Sequence, residues 1–208
     1  MKQPVLHAVT TGRMTTDETV SICLDILPYI DAIHIREHLK TAREVYELGK
    51  TMLEQGIPNE KLVINNRVDV AAALGIDRVQ LGYHSLTVQV VKQSFPQLFI
   101  GKSVHSLPEA LLAEEEGADG IIYGHVFQTD SKNALAPRGL AELSSISEKL
   151  SIPVTAIGGI LPSNMEEVFQ TGCSGIAVMS GIFNAKDPIQ SAIQYQKQLE
   201  MIADETHL

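Results

Sequence analysis

A histidine at the end of an apolar run is the residue of this chain best placed to carry out chemistry. His125 follows the run 120–123 and lies in the stretch Gly124-His125-Val126-Phe127-Gln128-Thr129. An imidazole gains and loses protons near neutral pH, and enzymes use it as a general acid or base. The position predicts proton-transfer chemistry on a small phosphorylated substrate, with His125 as the catalytic residue.

Two turns predict where the phosphate of such a substrate binds. Gly158 and Gly159 follow one apolar run, and Ser180 and Gly181 follow the next. Successive backbone N–H groups in turns bind anions, and glycine lets a ligand approach the backbone closely. We therefore expect these four residues to bind phosphate.

Polar side chains near the ends of other apolar runs predict further substrate contacts. They are Arg36, His38, Asn65, Lys102 and Ser103. His34, Arg36 and His38 are spaced by two, so an extended strand would turn all three to the same side. Ile33 and Ile35 would then face the opposite side.

The apolar runs alternate with helical patterns along the chain. Strands are predicted at residues 5–10, 32–37, 61–66, 78–82, 99–105, 120–127, 153–160 and 175–182. Helices are predicted at residues 16–30, 41–55, 67–74, 86–94, 108–116, 140–150, 163–170 and 188–202. This alternation favours an α/β fold with a parallel sheet, and eight units favour closure into a (β/α)8 TIM barrel. We expect a single barrel domain over residues 1–208.

The active site of such a barrel lies at the carboxyl ends of its strands, where the candidate residues stand. The long loop at residues 128–138 follows the sixth strand, and loops of that length are usually functional. The alternative fold is an open doubly wound sheet. It would want a GxGxxG motif after the first strand, and residues 10–14 do not supply one.

The composition disfavours several classes of function. The net charge is −9 and no basic run occurs, so we expect no nucleic-acid partner. No apolar stretch approaches the roughly 20 residues that span a bilayer, and residues 1–4 lead into no signal peptide. Cys23 and Cys173 are far apart and indicate buried thiols in a reducing, cytoplasmic setting. The sequence has no HxH or HExxH motif of the kind that indicates a metal site. The oligomeric state is left open, a homo-oligomer included.

As an ordered set, several motifs resemble those of the thiamine phosphate synthase superfamily over most of the chain. They are Ile35-Arg36-Glu37, Ile64-Asn65-Asn66-Arg67-Val68-Asp69, Val79-Gln80-Leu81-Gly82, Ser103-Val104-His105-Ser106, Gly117-Ala118-Asp119-Gly120, the stretch at His125, and the run 152–160. In that family the synthases join a pyrimidine diphosphate to a thiazole phosphate with Mg²⁺. The resemblance implies a TIM barrel that acts in thiamine biosynthesis.

Departures from the synthase pattern fall at the diphosphate and metal positions. The synthases typically carry metal-binding aspartates where this chain has Asn66 and Ser85. They carry Arg-x-Lys for the diphosphate where this chain has Arg36-Glu37-His38, and Gly-Pro where it has Gly124-His125. Mg²⁺ prefers carboxylate oxygens, which neutral side chains do not offer. These positions favour a protein that needs no metal.

The Gly-His-Val-Phe stretch resembles the thiazole tautomerases, the TenI-type branch of the superfamily. That resemblance implies an isomerase that aromatises a carboxythiazole phosphate by a proton shift at His125, without cofactor or metal. Arg36 would then pair with the substrate carboxylate through its fork of donors. Asn65 is a further candidate contact, with His38, Lys102 and Ser103 as secondary ones. Lys132 matches a diphosphate-binding lysine of the synthases.

Two alternatives to the tautomerase are left open. The first is a thiamine phosphate synthase with an altered metal site, which Mg²⁺-dependent product formation would distinguish. The second is a non-catalytic regulatory protein that binds a phosphorylated ligand. An epimerase-like barrel is disfavoured because it would want metal-binding His and Asp pairs at several strand ends.

Overall fold

The chain forms a closed barrel of eight parallel strands. Each strand lies beside the next strand in the sequence. The computed structural model describes residues 3–129 and 135–205. The strands are β1 (Val5–Val9), β2 (Ala32–Ile35), β3 (Leu62–Asn65), β4 (Arg78–Leu81), β5 (Phe99–Val104), β6 (Gly120–Gly124), β7 (Val154–Ile157) and β8 (Gly175–Val178). Strand β1 pairs with both β2 and β8, which closes the barrel. The predicted TIM barrel is confirmed.

Helices follow the strands in the described part of the chain. They are α1 (Thr16–Ile26), α2 (Ala42–Glu54), α3 (Val68–Leu74), α4 (Val88–Ser94), α5 (Leu107–Glu115), α6 (Leu140–Lys149), α7 (Met165–Phe169), α8 (Ser180–Phe183) and α9 (Pro188–Glu205). Capping boxes begin α1 and α2. The Thr15 hydroxyl accepts from the Glu18 N–H, and the Glu18 carboxylate accepts from the Thr15 N–H. No helix in the described ranges is long and apolar enough to cross a membrane.

Side-chain alternation along the strands separates two environments. Ile33 and Ile35 belong to the apolar core, as their spacing predicts, while His34 faces the barrel interior. TIM barrels usually fill this interior with bulky branched residues. Here many interior positions are polar, namely His7, His34, Asn65, Gln80, Ser103 and Thr155. The interior therefore offers hydrogen-bonding groups around two cavities.

Each predicted strand extends beyond the observed carboxyl end. At β7 the reason is backbone conformation, because Gly158 and Gly159 take φ of 104° and 67° and turn the chain away from the sheet. At β8 the predicted strand includes residues that form α8, whose Ile182 and Phe183 are buried in the core. A short apolar run does not distinguish a buried strand from a buried helix.

Candidate active site

A cavity of about 400 Å³ opens where the carboxyl ends of the eight strands meet. Most predicted site residues line this mouth cavity, namely Arg36, Asn65, Ser103, His125, Gly158, Gly159, Ser180 and Gly181. His38 and Lys102 lie outside its lining. Lys132 and residues 130–134 of the predicted 128–138 loop lie outside the described residues.

His125 stands at the end of β6 with one ring nitrogen anchored and the other unpartnered. The side chain is 4% exposed, and Nε2 lies 3.3 Å from the Leu135 carbonyl oxygen. Because a carbonyl oxygen only accepts, this contact places a proton on Nε2. Nδ1 is buried and has no hydrogen-bond partner among the described residues. Nδ1 is therefore the ring nitrogen that no described protein group engages.

The backbone of the following loop holds His125 in place. The Arg138 N–H donates to the His125 carbonyl oxygen at 2.9 Å, and the Gly139 N–H donates to that of Val126 at 3.1 Å. The Arg138 guanidinium in turn donates to the His105 carbonyl oxygen at 2.5 Å. The main-chain hydrogen bonds from Arg138 and Gly139 thus hold the segment that carries His125.

The glycine pair after β7 packs directly against the β6 end. A Cβ atom on Gly158 would lie 2.7 Å from the His125 Cα. A Cβ atom on Gly159 would lie 2.6 Å from the Gln128 carbonyl oxygen. Neither N–H group finds an acceptor within the described ranges. The turn therefore requires glycine on two grounds, its positive φ and its close contacts, and its N–H groups are available to an anion.

A buried tyrosine joins the β7 and β8 ends of the mouth. The Tyr195 hydroxyl donates to the Ile160 carbonyl oxygen at 2.8 Å, and a Cβ atom on Gly181 would lie 2.6 Å from that hydroxyl. Burial raises the pKa of Tyr195 to about 12, so the hydroxyl keeps its proton and remains a donor. Tyr195 therefore hydrogen-bonds to the segment after the glycine turn and leaves no room for a side chain at Gly181.

At the end of β2 a cation faces the mouth. Arg36 lines the cavity, and its Nη1 lies 3.3 Å from His38 Nδ1. Burial and the Arg36 charge lower the pKa of His38, so His38 is neutral at pH 7. Strand β2 ends at Ile35, so the prediction that His34, Arg36 and His38 share one face of a strand is wrong. Arg36 is the only Lys or Arg in the described cavity lining.

Buried Glu37 is engaged by neighbours other than a ligand. Its carboxylate accepts from the Thr10 hydroxyl at 2.6 Å and forms an ion pair with Lys40. Lys102 has a similar structural contact, because its Nζ donates to the Gly82 carbonyl oxygen at 2.8 Å. Burial lowers the pKa of Lys102. A substrate contact of Lys102 or His38 stays a prediction.

Several lining residues were not predicted as site residues. Gln80 projects into the interior between Val79 and Leu81, and its Nε2 donates to Ser103 Oγ at 3.0 Å. The alternation along β4 is a signal that identifies it. Thr129 and Leu161 also line the mouth, but they lie in loops, where residue spacing gives no such signal.

The positions at which the synthases hold a metal form a closed neutral cluster. Asn66 Oδ1 accepts from the Gly82 N–H at 2.9 Å and from Ser85 Oγ at 2.8 Å. The described lining of the mouth contains no Asp or Glu, and no group of three His, Cys, Asp or Glu in the described ranges is arranged to hold a metal. Because Mg²⁺ in proteins is usually held through one or two carboxylates, this neutral cluster does not fit it.

Comparison with known proteins identifies relatives along nearly the whole chain. The family model described as thiamine monophosphate synthase (TMP-TENI) matches residues 6–182. The thiamine-phosphate synthase of Pyrococcus furiosus is 40% identical over 195 residues, which cover 93% of this chain and 94% of that protein. The thiamine-phosphate synthase of Haloquadratum walsbyi is 37% identical over 202 residues, covering 95% and 89%.

Solved structures give the same relationship. The thiamine phosphate pyrophosphorylase from Pyrococcus furiosus superposes with a TM-score of 0.85 at 37% identity, covering 96% of this chain and 97% of that one. A 3-hexulose-6-phosphate synthase superposes with a TM-score of 0.74 over 93% and 99% of the two chains, but at 14% identity it supports the fold alone.

These comparisons overturn the predicted activity. A thiazole tautomerase is an isomerase, whereas the similar proteins are named thiamine-phosphate synthase, which is a transferase. The tautomerase prediction is therefore wrong, and the first alternative is better supported. His125 and Asn66 are local departures from the synthase pattern, whereas the similarity to the synthases runs along 93% of the chain.

Proposed function

Because this chain belongs to the thiamine monophosphate synthase (TMP-TENI) family, we propose that it is a thiamine-phosphate synthase-type transferase. The proposed reaction joins a pyrimidine diphosphate to a thiazole phosphate. The observation that carries the proposal is 40% identity over 93% of the chain to a thiamine-phosphate synthase. The mouth cavity supports it, since glycine turns and a single arginine line one pocket.

The thiazole phosphate is assigned to the β7 and β8 ends. The N–H groups of Gly158 and Gly159 point to no protein acceptor in the described ranges, and a phosphate supplies oxygens for them. Ser180 and Gly181 line the same cavity as the glycine turn. Hydrogen bonds to an ionised phosphate are stronger than neutral ones, so this end positions the substrate.

The diphosphate is assigned to the side of Arg36. In the transfer, the bond between the pyrimidine's methylene carbon and the diphosphate oxygen breaks, and the diphosphate leaves with the electron pair. The thiazole supplies the pair for the new bond. Arg36 stabilises the charge that develops on the leaving oxygen. The His125 imidazole lines the same cavity and is the acid proposed to protonate that oxygen.

No step in this scheme passes through Mg²⁺, because the Asn66–Ser85 cluster does not fit the metal. The same observation favours a second candidate function, a protein that binds the phosphorylated ligand without transferring it. A binding protein of this kind uses the glycine turns and Arg36 to hold the phosphorylated ligand. It does not need the carboxylates with which the synthases bind the metal and the diphosphate.

Product formation distinguishes the two functions. The purified protein is incubated with both substrates, once in EDTA and once in millimolar Mg²⁺, and thiamine phosphate is separated by chromatography. The transferase forms product in EDTA at a rate that Mg²⁺ changes little. Tight binding of the thiazole phosphate in calorimetry, without product in either buffer, refutes the transferase and establishes the binding protein.

A further inference from the structure

A second cavity, here called the lower cavity, lies at the opposite end of the barrel from the mouth. It has a volume of about 230 Å³. Its lining includes Val5, Arg78, Phe99 and Gly120, which are the first residues of β1, β4, β5 and β6. The amino end of a TIM barrel is normally filled by side chains. The lower cavity therefore departs from the usual packing. It shares His34, Gln80 and Ile122 with the mouth cavity as a common wall, and its other lining residues lie outside the proposed transferase site.

Glycine at an inward position leaves this space open. A Cβ atom on Gly120 would have no neighbour closer than 3.6 Å, and Gly120 has no positive φ. Neither backbone conformation nor crowding therefore requires glycine at this position. A larger side chain at residue 120 would project into the cavity and fill it.

The walls of the lower cavity are mainly apolar, with one cation where the strands begin. Val5, Val63 and Ile121 contribute to the walls. The Arg78 guanidinium carbon lies 4.8 Å from the centre of the Phe99 ring, and Nη1 donates to the Glu60 carbonyl oxygen at 3.1 Å. No Asp or Glu belongs to the described lining, so the cation attracts an anion without competition from a carboxylate of the wall.

A pair of imidazoles forms the inner end of the lower cavity. His7 Nδ1 lies 3.1 Å from His34 Nε2, which leaves His7 Nε2 without a protein partner in the described ranges. Burial and the nearby Arg78 lower the pKa of His7 to about 4. Burial also lowers the pKa of His34. Both rings are neutral at pH 7, so the inner end offers a hydrogen bond without a charge.

We propose that the lower cavity binds a small aromatic carboxylate, with the ring between the apolar walls and the carboxylate on Arg78. An apolar cavity of about 150 Å³ admits benzene, so the observed volume holds one ring and its substituent. A free phosphate fits less well, because its ionic oxygens would be desolvated against apolar walls with a single cation. The His7 ring meets the far edge of the ligand.

The test uses 4-fluorobenzoate as the probe and its ¹⁹F line width as the readout, with the mouth saturated by inorganic phosphate. Wild-type protein is expected to broaden the line and to do so equally with and without phosphate. The neutral analogue 4-fluorobenzyl alcohol is expected to bind at least about tenfold more weakly, because it lacks the charge-assisted bond to Arg78.

Three variants test where in the barrel the probe binds. Gly120→Leu fills the cavity and is expected to abolish broadening. Arg78→Met keeps the side-chain length and is expected to weaken binding about tenfold or more. Arg43→Met makes the same change at an exposed position of α2 and is expected to leave the affinity unchanged. Circular dichroism verifies that each variant is folded. If Gly120→Leu does not fold, Arg78→Met alone tests the binding site.

Three results would each overturn the proposal. They are no broadening by wild-type protein at millimolar probe, displacement of the probe by phosphate, and affinity that survives Arg78→Met. None of these results depends on thiamine phosphate formation, so the lower cavity and the proposed transferase are tested separately.

Discussion

Two glycines with nearly equal φ allow the glycine turn at the mouth to be tested against a matched control. Gly159 has φ of 67° and Gly75, at the end of α3, has φ of 70°. A Cβ atom on Gly75 would meet nothing within 4 Å, whereas one on Gly159 would lie 2.6 Å from the Gln128 carbonyl oxygen. Alanine at either position is strained by its backbone, but only Gly159→Ala must also move the loop after β6.

The two costs give different expected losses of stability. Left-handed backbone costs an L residue about 1–2 kcal/mol, and a stiffer unfolded chain offsets about 0.4–1 kcal/mol of this. Gly75→Ala should therefore lower the free energy of unfolding by about 1 kcal/mol. Overpacking adds about 1–3 kcal/mol, so Gly159→Ala should lower it by about 2–4 kcal/mol. In a domain of this size, Tm falls by about 2–4 °C for each kcal/mol.

Phosphate binding gives the second readout for the same pair. Calorimetry with thiazole phosphate should show an affinity for Gly75→Ala within about twofold of wild type. Gly159→Ala should lose about tenfold or more, as expected when charge-assisted hydrogen bonds of the turn are displaced. Equal Tm changes in the two variants, or an unchanged affinity in Gly159→Ala, would refute the crowding and phosphate-binding assigned to this turn.

Three further changes have defined outcomes. His125→Gln removes the proton-carrying imidazole and should lower turnover by about 10²-fold or more while the affinity for thiazole phosphate stays within about threefold, and an unaltered turnover would exclude His125 as the acid. The double substitution Asn66→Asp with Ser85→Asp supplies the missing carboxylates and should make turnover rise with millimolar Mg²⁺, so a flat titration would contradict the metal assignment. The lowered pKa values of His7 and His34 mean that the unfolded chain binds more protons below pH 6.5, so the free energy of unfolding should fall as pH drops from 6.5 to 5, by up to about 1.4 kcal/mol per pH unit for each ring. Urea unfolding at a series of pH values should show that the free energy of unfolding depends less on pH in His7→Gln than in the exposed control His84→Gln. An equal pH dependence in the two variants would argue against neutral buried rings.

Residue types and spacing predicted the fold and most of the mouth, because both depend on local patterns. Alternating apolar runs identified the eight strands, and the strand ends placed His125 and Gly159 in one cavity. The ends of the strands could not be predicted, since they depend on backbone conformation at Gly158 and on tertiary burial of Phe183. His38 lies outside the cavity for the same reason, because β2 stops before it.

The predicted activity was wrong, and the roles of the predicted site residues stay predictions. Asn66 and His125 differ from the synthase pattern, and the resemblance of the Gly-His-Val-Phe stretch to the thiazole tautomerases predicted an isomerase. Similarity along the chain points instead to a transferase. No residue pattern predicts the lower cavity. Its space depends on the missing side chain at Gly120, and its positive charge depends on Arg78 at the start of β4.

The most direct measurement is ³¹P NMR of a single-turnover reaction, with wild-type protein in excess over the pyrimidine diphosphate, thiazole phosphate added, and EDTA present. The transferase predicts that free diphosphate and thiamine phosphate appear together in equal amounts, and only when both substrates are present. Persistence of both substrate signals, with the thiazole phosphate resonance shifted by binding, would contradict it and leave a protein that binds the phosphorylated ligand without transferring it.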